Sequence, residues 1–363
     1  MIKHLYAHIP FCPKVCPYCS FYKEASDRNK TRAFLDAMLV EAEAWGARLR
    51  PETIFFGGGT PSALSTSQLD FLLRGLRERI DFSQVKEWTL EMNPATVSAE
   101  KAVALLELGV TRISMGVQSW DEELLHTLGR VHSADQARRS YEILRETGVK
   151  AVNLDLIFGV PGQSREQWID SLRTTIALRP DHISAYCLTY EEDTDFFLRV
   201  ARGEWIPNDS LDADLFEITM DILGEAGFEQ YEISNFAPPG NECRHNLAYW
   251  TGADYVGLGP SAFSTVGHRR WKNVSDTESY IARVMEQQDV ADFFEEVSPE
   301  MRVAERIAFS MRTKRGATAA ELEPWQHEID KMAAEGLLES AGDRWRLTRA
   351  GRMVADAVAE TFL

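Results

Sequence analysis

The stretch Tyr6-Ala7-His8-Ile9-Pro10-Phe11-Cys12-Pro13-Lys14-Val15-Cys16-Pro17-Tyr18-Cys19 holds three of the chain's five cysteines within eight residues. It overlaps a strand-like run, Ile2–Ile9, so the cysteines fall on the loop that leaves a first strand. Disulfide geometry fits such close neighbours poorly. The N-terminus has no charged segment followed by an apolar one, which predicts a reducing, cytoplasmic setting. There, clustered cysteines point to metal or redox chemistry. Spacings of three and two let one short loop give three thiolates to a single iron–sulfur cubane. A structural zinc site wants a fourth ligand nearby, and the only adjacent imidazole, His8, lies in the predicted strand. Zinc and plain free thiols are the alternatives.

Three protein ligands leave the fourth iron of a [4Fe–4S] cluster open. An open iron can chelate the amino and carboxylate groups of S-adenosylmethionine and pass an electron to its sulfonium. The loop therefore predicts a cluster on Cys12, Cys16 and Cys19 that binds this cofactor. Of the other cysteines, Cys187 reads as a buried small hydrophobe in an apolar strand. Cys243 sits in a polar loop beside Arg244 and His245 and is left open.

Outward from this loop the pattern alternates between strands and helices. Runs at Ile2–Ile9, Thr53–Phe56, Glu87–Met92, Arg112–Val117, Ala151–Phe158 and His182–Tyr190 recur about every 30 residues, the length of a βα unit. Capping-box patterns at Ser65/Gln68, Ser119/Glu122, Ser133/Gln136 and Ser164/Gln167 mark helix starts between them. Leu69, Leu72, Leu73, Leu76 and Ile80 then repeat at helical spacing, as do Trp168, Leu172 and Ile176. The expected fold is α/β, a partial (β/α)6 barrel, with chemistry at the C-terminal ends of the strands. A helix near Leu211–Ala226 follows. The tail predicts helices at Thr318–Glu323 and Glu328–Glu335, a strand at Trp345–Thr348 and a closing helix from Gly351. That order suggests a mainly helical, winged-helix-like unit. The expected division is a barrel over 1–235, a linker region over 236–300 and the small unit over 301–363.

Composition narrows the function. Apolar residues make up 44% and charged residues 26%, an ordinary globular balance. A formal net charge of −17 argues against a nucleic-acid backbone as the main ligand. The tail from Arg315 carries six basic and nine acidic side chains, which argues against DNA there too. No apolar run approaches the roughly 20 residues of a membrane helix.

The cysteine spacing, with an aromatic before the last cysteine, resembles the radical S-adenosylmethionine (SAM) signature. With Tyr6-Ala-His8-Ile-Pro-Phe-Cys12 it resembles the oxygen-independent coproporphyrinogen oxidase-like family. That likeness continues through Gly57-Gly58-Gly59-Thr60-Pro61, Glu91-Met-Asn93-Pro94, Ser114-Met-Gly116-Val-Gln118-Ser119, Leu128-Gly-Arg130, Asn153-Leu-Asp155-Leu-Ile-Phe-Gly159 and His245-Asn246-Leu-Ala-Tyr249-Trp250. Two branches compete. The dehydrogenase branch carries a fourth cysteine two positions after the third, where this chain has Phe21, and a long segment before the cysteine loop. Both departures, and His245–Trp250, resemble the heme chaperone branch, which implies heme and hemoprotein acceptors as partners, with a second copy of the chain as a further candidate. The enzyme reading is a radical decarboxylation of propionate side chains. Radical modification of an unrelated substrate is a third reading, against which only the His245–Trp250 stretch speaks.

The resemblance assigns roles. The run Gly57–Gly59 takes the amino group of the methionine moiety, with Gly58, Gly59 and Thr60 as cofactor contacts; a plain tight turn is the alternative. Glu91 contacts the cofactor, Gln118 and Asp155 its ribose, and Arg130 its carboxylate, a task that suits a planar fork. Each taken alone also reads as a structural polar residue. Tyr6 and Tyr18 shape the adenine pocket, while Lys14 reads as a solvated charge. His245 is the expected axial ligand for heme iron, with Cys243 next; its alternative is a histidine hydrogen-bonded in a domain interface. Gly257-Leu-Gly259-Pro260-Ser-Ala-Phe263 resembles a segment where relatives often carry histidine at the place of Phe263, which implies another ligand here.

Overall fold

A strand covered by helices must be apolar on its outer face, and inward polar side chains persist only where they find partners. The computed structural model describes residues 1–25 and 27–363, and six strands in it follow that rule. They are β1 (Ile2–Ile9), β2 (Leu49–Gly58), β3 (Glu87–Met92), β4 (Arg112–Gln118), β5 (Ala151–Phe158) and β6 (His182–Cys187). They pair in parallel and in chain order. Val256–Leu258 adds in parallel beside β1, while Asn235–Ala237 and then Glu229–Gln230 add antiparallel beyond β6. The two edges do not meet, so the sheet is an open, partial barrel that draws on residues past 235.

Outward-facing Leu5, Ile54, Trp88, Leu90, Met115, Leu154 and Ile183 are fully buried in the main apolar core. The helices in that core include α1 (Arg28–Trp45), α2 (Thr66–Arg79), α3 (Ala99–Glu107), α4 (Ala134–Glu146), α5 (Arg165–Leu178) and α6 (Asp209–Glu225). At about 25 cal/mol per Å² of apolar area, burying one such large side chain stabilises by about 2 kcal/mol. Full reciprocal capping boxes start α2 at Ser65/Gln68 and α5 at Ser164/Gln167. Ser133 accepts the Gln136 N–H without a return bond. The expected Ser119 cap is not used. The short helix Glu122–Thr127 begins at Asp121, whose charged oxygen accepts both the Glu123 and Leu124 N–H groups.

The tail gathers Ile307, Met311, Ile329, Leu347, Val358 and Phe362 into a separate apolar cluster. Helix Pro299–Met311 leads to strand Ala317–Thr318, helix Gln326–Ala334 and the hairpin Leu338–Ala341/Arg344–Leu347, then to closing helices Arg349–Met353 and Ala355–Glu360. This order is compatible with a winged helix. The helix expected at Thr318–Glu323 does not form, because Thr318 pairs with Arg344 in the sheet. Glu321 folds back onto the Thr318 N–H and hydroxyl at 3.0 and 2.7 Å, leaving only a 3₁₀ turn at Glu323–Trp325. Among the described residues, no helix is long and apolar enough to cross a membrane.

Candidate functional site

The cysteine loop is pinned at both ends, since Phe11–Cys12 pairs with Glu24–Ala25. Cys12 is buried, Cys16 and Cys19 are partly so, and none forms a disulfide. All three line one cavity of about 460 Å³ at the C-terminal ends of the strands. Arg130 donates from Nη1 to Cys16 Sγ at 3.5 Å, and the Lys23 ammonium donates to the Cys19 carbonyl. Burial pushes the Cys12 and Cys19 thiols up; the Thr60 hydroxyl at Cys12 and the Lys23 charge at Cys19 pull the other way. Three thiols from one loop, opening on one cavity with two cations beside them, fit a three-thiolate cluster.

The strand-end residues converge on the same cavity. Gly58 (φ +103°) turns the chain after β2. A Cβ on Gly59 would lie 2.8 Å from the Pro10 carbonyl, so this close approach of backbone to backbone admits only glycine. Glu91 accepts the Gly58 N–H, while burial pushes its carboxyl up to about 8, reinforced by the nearby Asp155 charge. Asp155 is also raised by burial; hydrogen bonds from Ser184, Ser114 and Asn153 oppose the shift. Gln118 (φ +69°) adopts the left-handed region and faces the cavity past Gly116, where a Cβ would meet Gln118 Nε2 at 2.7 Å. Arg130 donates to the Gly116 carbonyl at 2.8 Å, and its buried Nε has no partner among the described residues. Tyr18 lines the cavity and hydrogen-bonds with Arg130. Tyr6 lies deeper, its hydroxyl 3.0 Å from His8 Nδ1 and its ring stacked on Phe55. Among the expected cofactor residues, Tyr6 alone does not line the cavity.

Sequence reasoning missed the polar interior beneath these residues. Asn153 Nδ2 donates to Ser114 Oγ and Asp155 Oδ1, both at 2.7 Å, and to Ser184 Oγ at 2.9 Å. His182 Nδ1–H donates to Asn153 Oδ1 at 2.6 Å, so its Nε2 accepts the Tyr231 hydroxyl at 2.8 Å. Below them Glu87 and Arg112 form a buried ion pair at 3.2 Å. The signal was in the period-2 alternation of Glu87-Trp-Thr89-Leu-Glu91, Asn153-Leu-Asp155 and His182-Ile-Ser184-Ala-Tyr186.

Of the expected heme ligands, Cys243 lines the deep part of this cavity and His245 does not. His245 is in a helix, Arg244–Trp250, and is 1% exposed. Its Nδ1 lies 2.8 Å from Thr53 Oγ1 and its Nε2 3.1 Å from Tyr249 OH, so both ring nitrogens are engaged. Burial lowers its pKa to about 3. In this placement Thr53 and Tyr249 already occupy both ring nitrogens. Cys243 is buried at the start of the same helix, with Sγ donating to Glu87 Oε1 at 3.4 Å and its thiol pushed up to about 12 by burial. Cys187 is not the buried hydrophobe expected. The strand ends at Cys187, which leaves the thiol exposed at the cavity rim. Phe263 is half exposed on strand Phe263–Val266, with Lys272 Nζ 5.4 Å from its ring centre.

Residues 6–175 match the Radical SAM superfamily model. Coproporphyrinogen III oxidase (HemN) from Escherichia coli, described as a radical SAM enzyme, superposes with a TM-score of 0.84. The match covers 99% of this chain and 90% of that one at 23% identity, and the likeness is one of fold. An open (β/α)6 barrel with three cysteines on its first loop is a radical SAM architecture, and that class implies a [4Fe–4S] cluster and SAM. The curated heme chaperone HemW of Escherichia coli (strain K12) is 35% identical over 99% of this chain and 97% of its own length. The heme chaperone HemW of Mycobacterium tuberculosis (strain ATCC 25618 / H37Rv) is 36% identical over 99% and 94%. The chain belongs to the radical SAM heme chaperone HemW family.

Proposed function

We propose that this protein binds heme and transfers it to hemoprotein acceptors while holding a [4Fe–4S] cluster on Cys12, Cys16 and Cys19. The observation that carries the reading is full-length likeness to curated heme chaperones in a chain with Phe21, 66% exposed, two positions after Cys19. When bound, the cluster supplies an electron and an open iron for the amino and carboxylate groups of SAM. The chain's own residues do the rest. Arg130, already beside Cys16, offers its unpartnered Nε and a fixed positive charge to the cofactor carboxylate. Gly58–Thr60 bring backbone close to the methionine end. Gln118 and Asp155 offer polar groups to the ribose. Glu91 is held largely protonated near neutral pH, and a cation arriving beside it draws the carboxyl back to its ionised form.

Coproporphyrinogen decarboxylation remains the second reading, favoured by one observation: Glu91, Gln118, Arg130 and Asp155 all line one cavity with the cysteines. A transfer assay tests the first. Anaerobically reconstituted protein loaded with heme is mixed with an apo-hemoprotein, and the acceptor's absorption band is followed. Gain of the band at a rate set by the loaded protein supports chaperone function. Transfer no faster than from free heme refutes it.

A further inference from the structure

Besides Arg130 Nε at the mouth, the buried polar groups without a protein partner among the described residues include Thr89 Oγ1 and Arg112 Nη1 on the strands. Thr89 is 1% exposed and Arg112 6%. They are register partners on β3 and β4, and both line the cavity that opens at the cysteine loop. Adjacent strands lie about 4.8 Å apart, so the two groups sit side by side. The rest of the guanidinium is used: Nε faces Glu87, and Nη2 donates to the Asn241 and Glu242 carbonyls at 2.8 and 3.3 Å. Leaving a buried donor unmade costs about 1–3 kcal/mol. Two such groups facing one cavity mark a place built for an acceptor.

We propose that Thr89 and Arg112 form a carboxylate subsite at the barrel floor, which takes one propionate arm of a tetrapyrrole; the proposal rests on the heme reading above. Charge selects the ligand. Glu87 already offsets most of the Arg112 charge, so a phosphate dianion is disfavoured while a monoanion with two oxygens suits two donors. Depth selects the arm. Thr89 and Arg112 lie two residues below Glu91 and Ser114 on the same strands, about 6.6 Å at 3.3 Å per residue. Two methylenes and a carboxylate span that depth. Arg112 gives the charged bond and Thr89 the hydroxyl bond.

The test compares heme with its dimethyl ester, whose propionates cannot ionise, on reconstituted full-length protein. Wild type is expected to bind heme about 10-fold or more tighter than the ester, as a lost charge-assisted hydrogen bond implies. Thr89→Val, close to isosteric and leaving the Glu87–Arg112 pair intact, should weaken heme by about 10-fold and leave the ester unchanged. Thr89→Ser should restore heme binding. Should Thr89→Val fail to fold, Arg112→Lys carries the same comparison, and the wild-type contrast stands without either. Equal affinity of wild type for heme and ester, or unchanged heme binding in Thr89→Val, overturns the subsite and leaves the heme reading intact. A wild type that binds neither overturns both.

Discussion

Replacing Glu87 with glutamine removes one charge from a point where the barrel floor meets the helix Arg244–Trp250. The carboxylate is 5% exposed and accepts from Arg112 Nε at 3.2 Å, the Arg244 N–H at 3.1 Å, the His245 N–H at 3.0 Å and Cys243 Sγ at 3.4 Å. Breaking a buried ion pair by removing one partner costs about 3–5 kcal/mol. Glutamine keeps an acceptor oxygen for part of the helix cap, so the lower end, about 3 kcal/mol, is expected. Glu87→Leu/Arg112→Met removes both charges and retains the cost of the uncapped helix donors and of the Asn241 and Glu242 carbonyls that Arg112 Nη2 serves, together about 2 kcal/mol. Urea unfolding of the metal-free protein, followed by circular dichroism, measures both. With m near 3 kcal/mol/M, Glu87→Gln should lower the midpoint by about 1 M at unchanged m, and the double variant by less. A Glu87→Gln loss under about 1 kcal/mol, or a double variant less stable than the single, refutes the reasoning.

The remaining predictions concern the Glu91 carboxyl, the glycine turn, the buried imidazole and the cluster cysteines. The Glu91 carboxyl is raised from 4.5 to about 8 in the folded state, so its contribution is full below about pH 4.5 and lost as pH rises through 8. Glu91→Gln should therefore raise the melting temperature of metal-free protein at pH 9 by about 5 °C, with no gain at pH 4.5; melting curves across pH check this, and a pH-independent difference contradicts it. Gly59→Ala should cut SAM affinity at least 10-fold, because its Cβ meets the Pro10 backbone rather than a movable side chain; equilibrium binding at wild-type strength would show the close approach to be dispensable. His245 is lowered from 6.5 to about 3, so its contribution is full above about pH 6.5 and lost as pH falls toward 3. His245→Gln should flatten that part of the stability profile, and an unchanged slope would show that the imidazole is not held neutral. Cys16→Ala should abolish the broad cluster absorbance of anaerobic protein; unchanged iron and sulfide content would refute the cluster assignment.

The strands at Glu87–Met92 and Ala151–Phe158 were readable to the residue, because their outward positions are uniformly apolar and their ends abrupt. The cysteine loop, Glu91, Gln118, Arg130 and Asp155 were readable through motif and strand-end position, and the structure brings them to one cavity. What escaped depends on long-range partners. His245 looks like a loop imidazole until Glu87, 158 residues earlier, caps the turn that carries it. Thr89 and Arg112 look like ordinary strand residues until register sets them side by side. Two of the tail strands, Ala317–Thr318 and Leu338–Ala341, escaped because they are too short to show a period.

The central claim is heme handling without porphyrinogen turnover, and one paired anaerobic measurement on cluster-reconstituted protein tests it. One arm titrates heme; the other supplies SAM, reductant and coproporphyrinogen III and assays protoporphyrinogen. Saturable heme binding with no product is the expected result. Multiple turnovers to protoporphyrinogen would contradict the account and make the protein an enzyme of porphyrin synthesis.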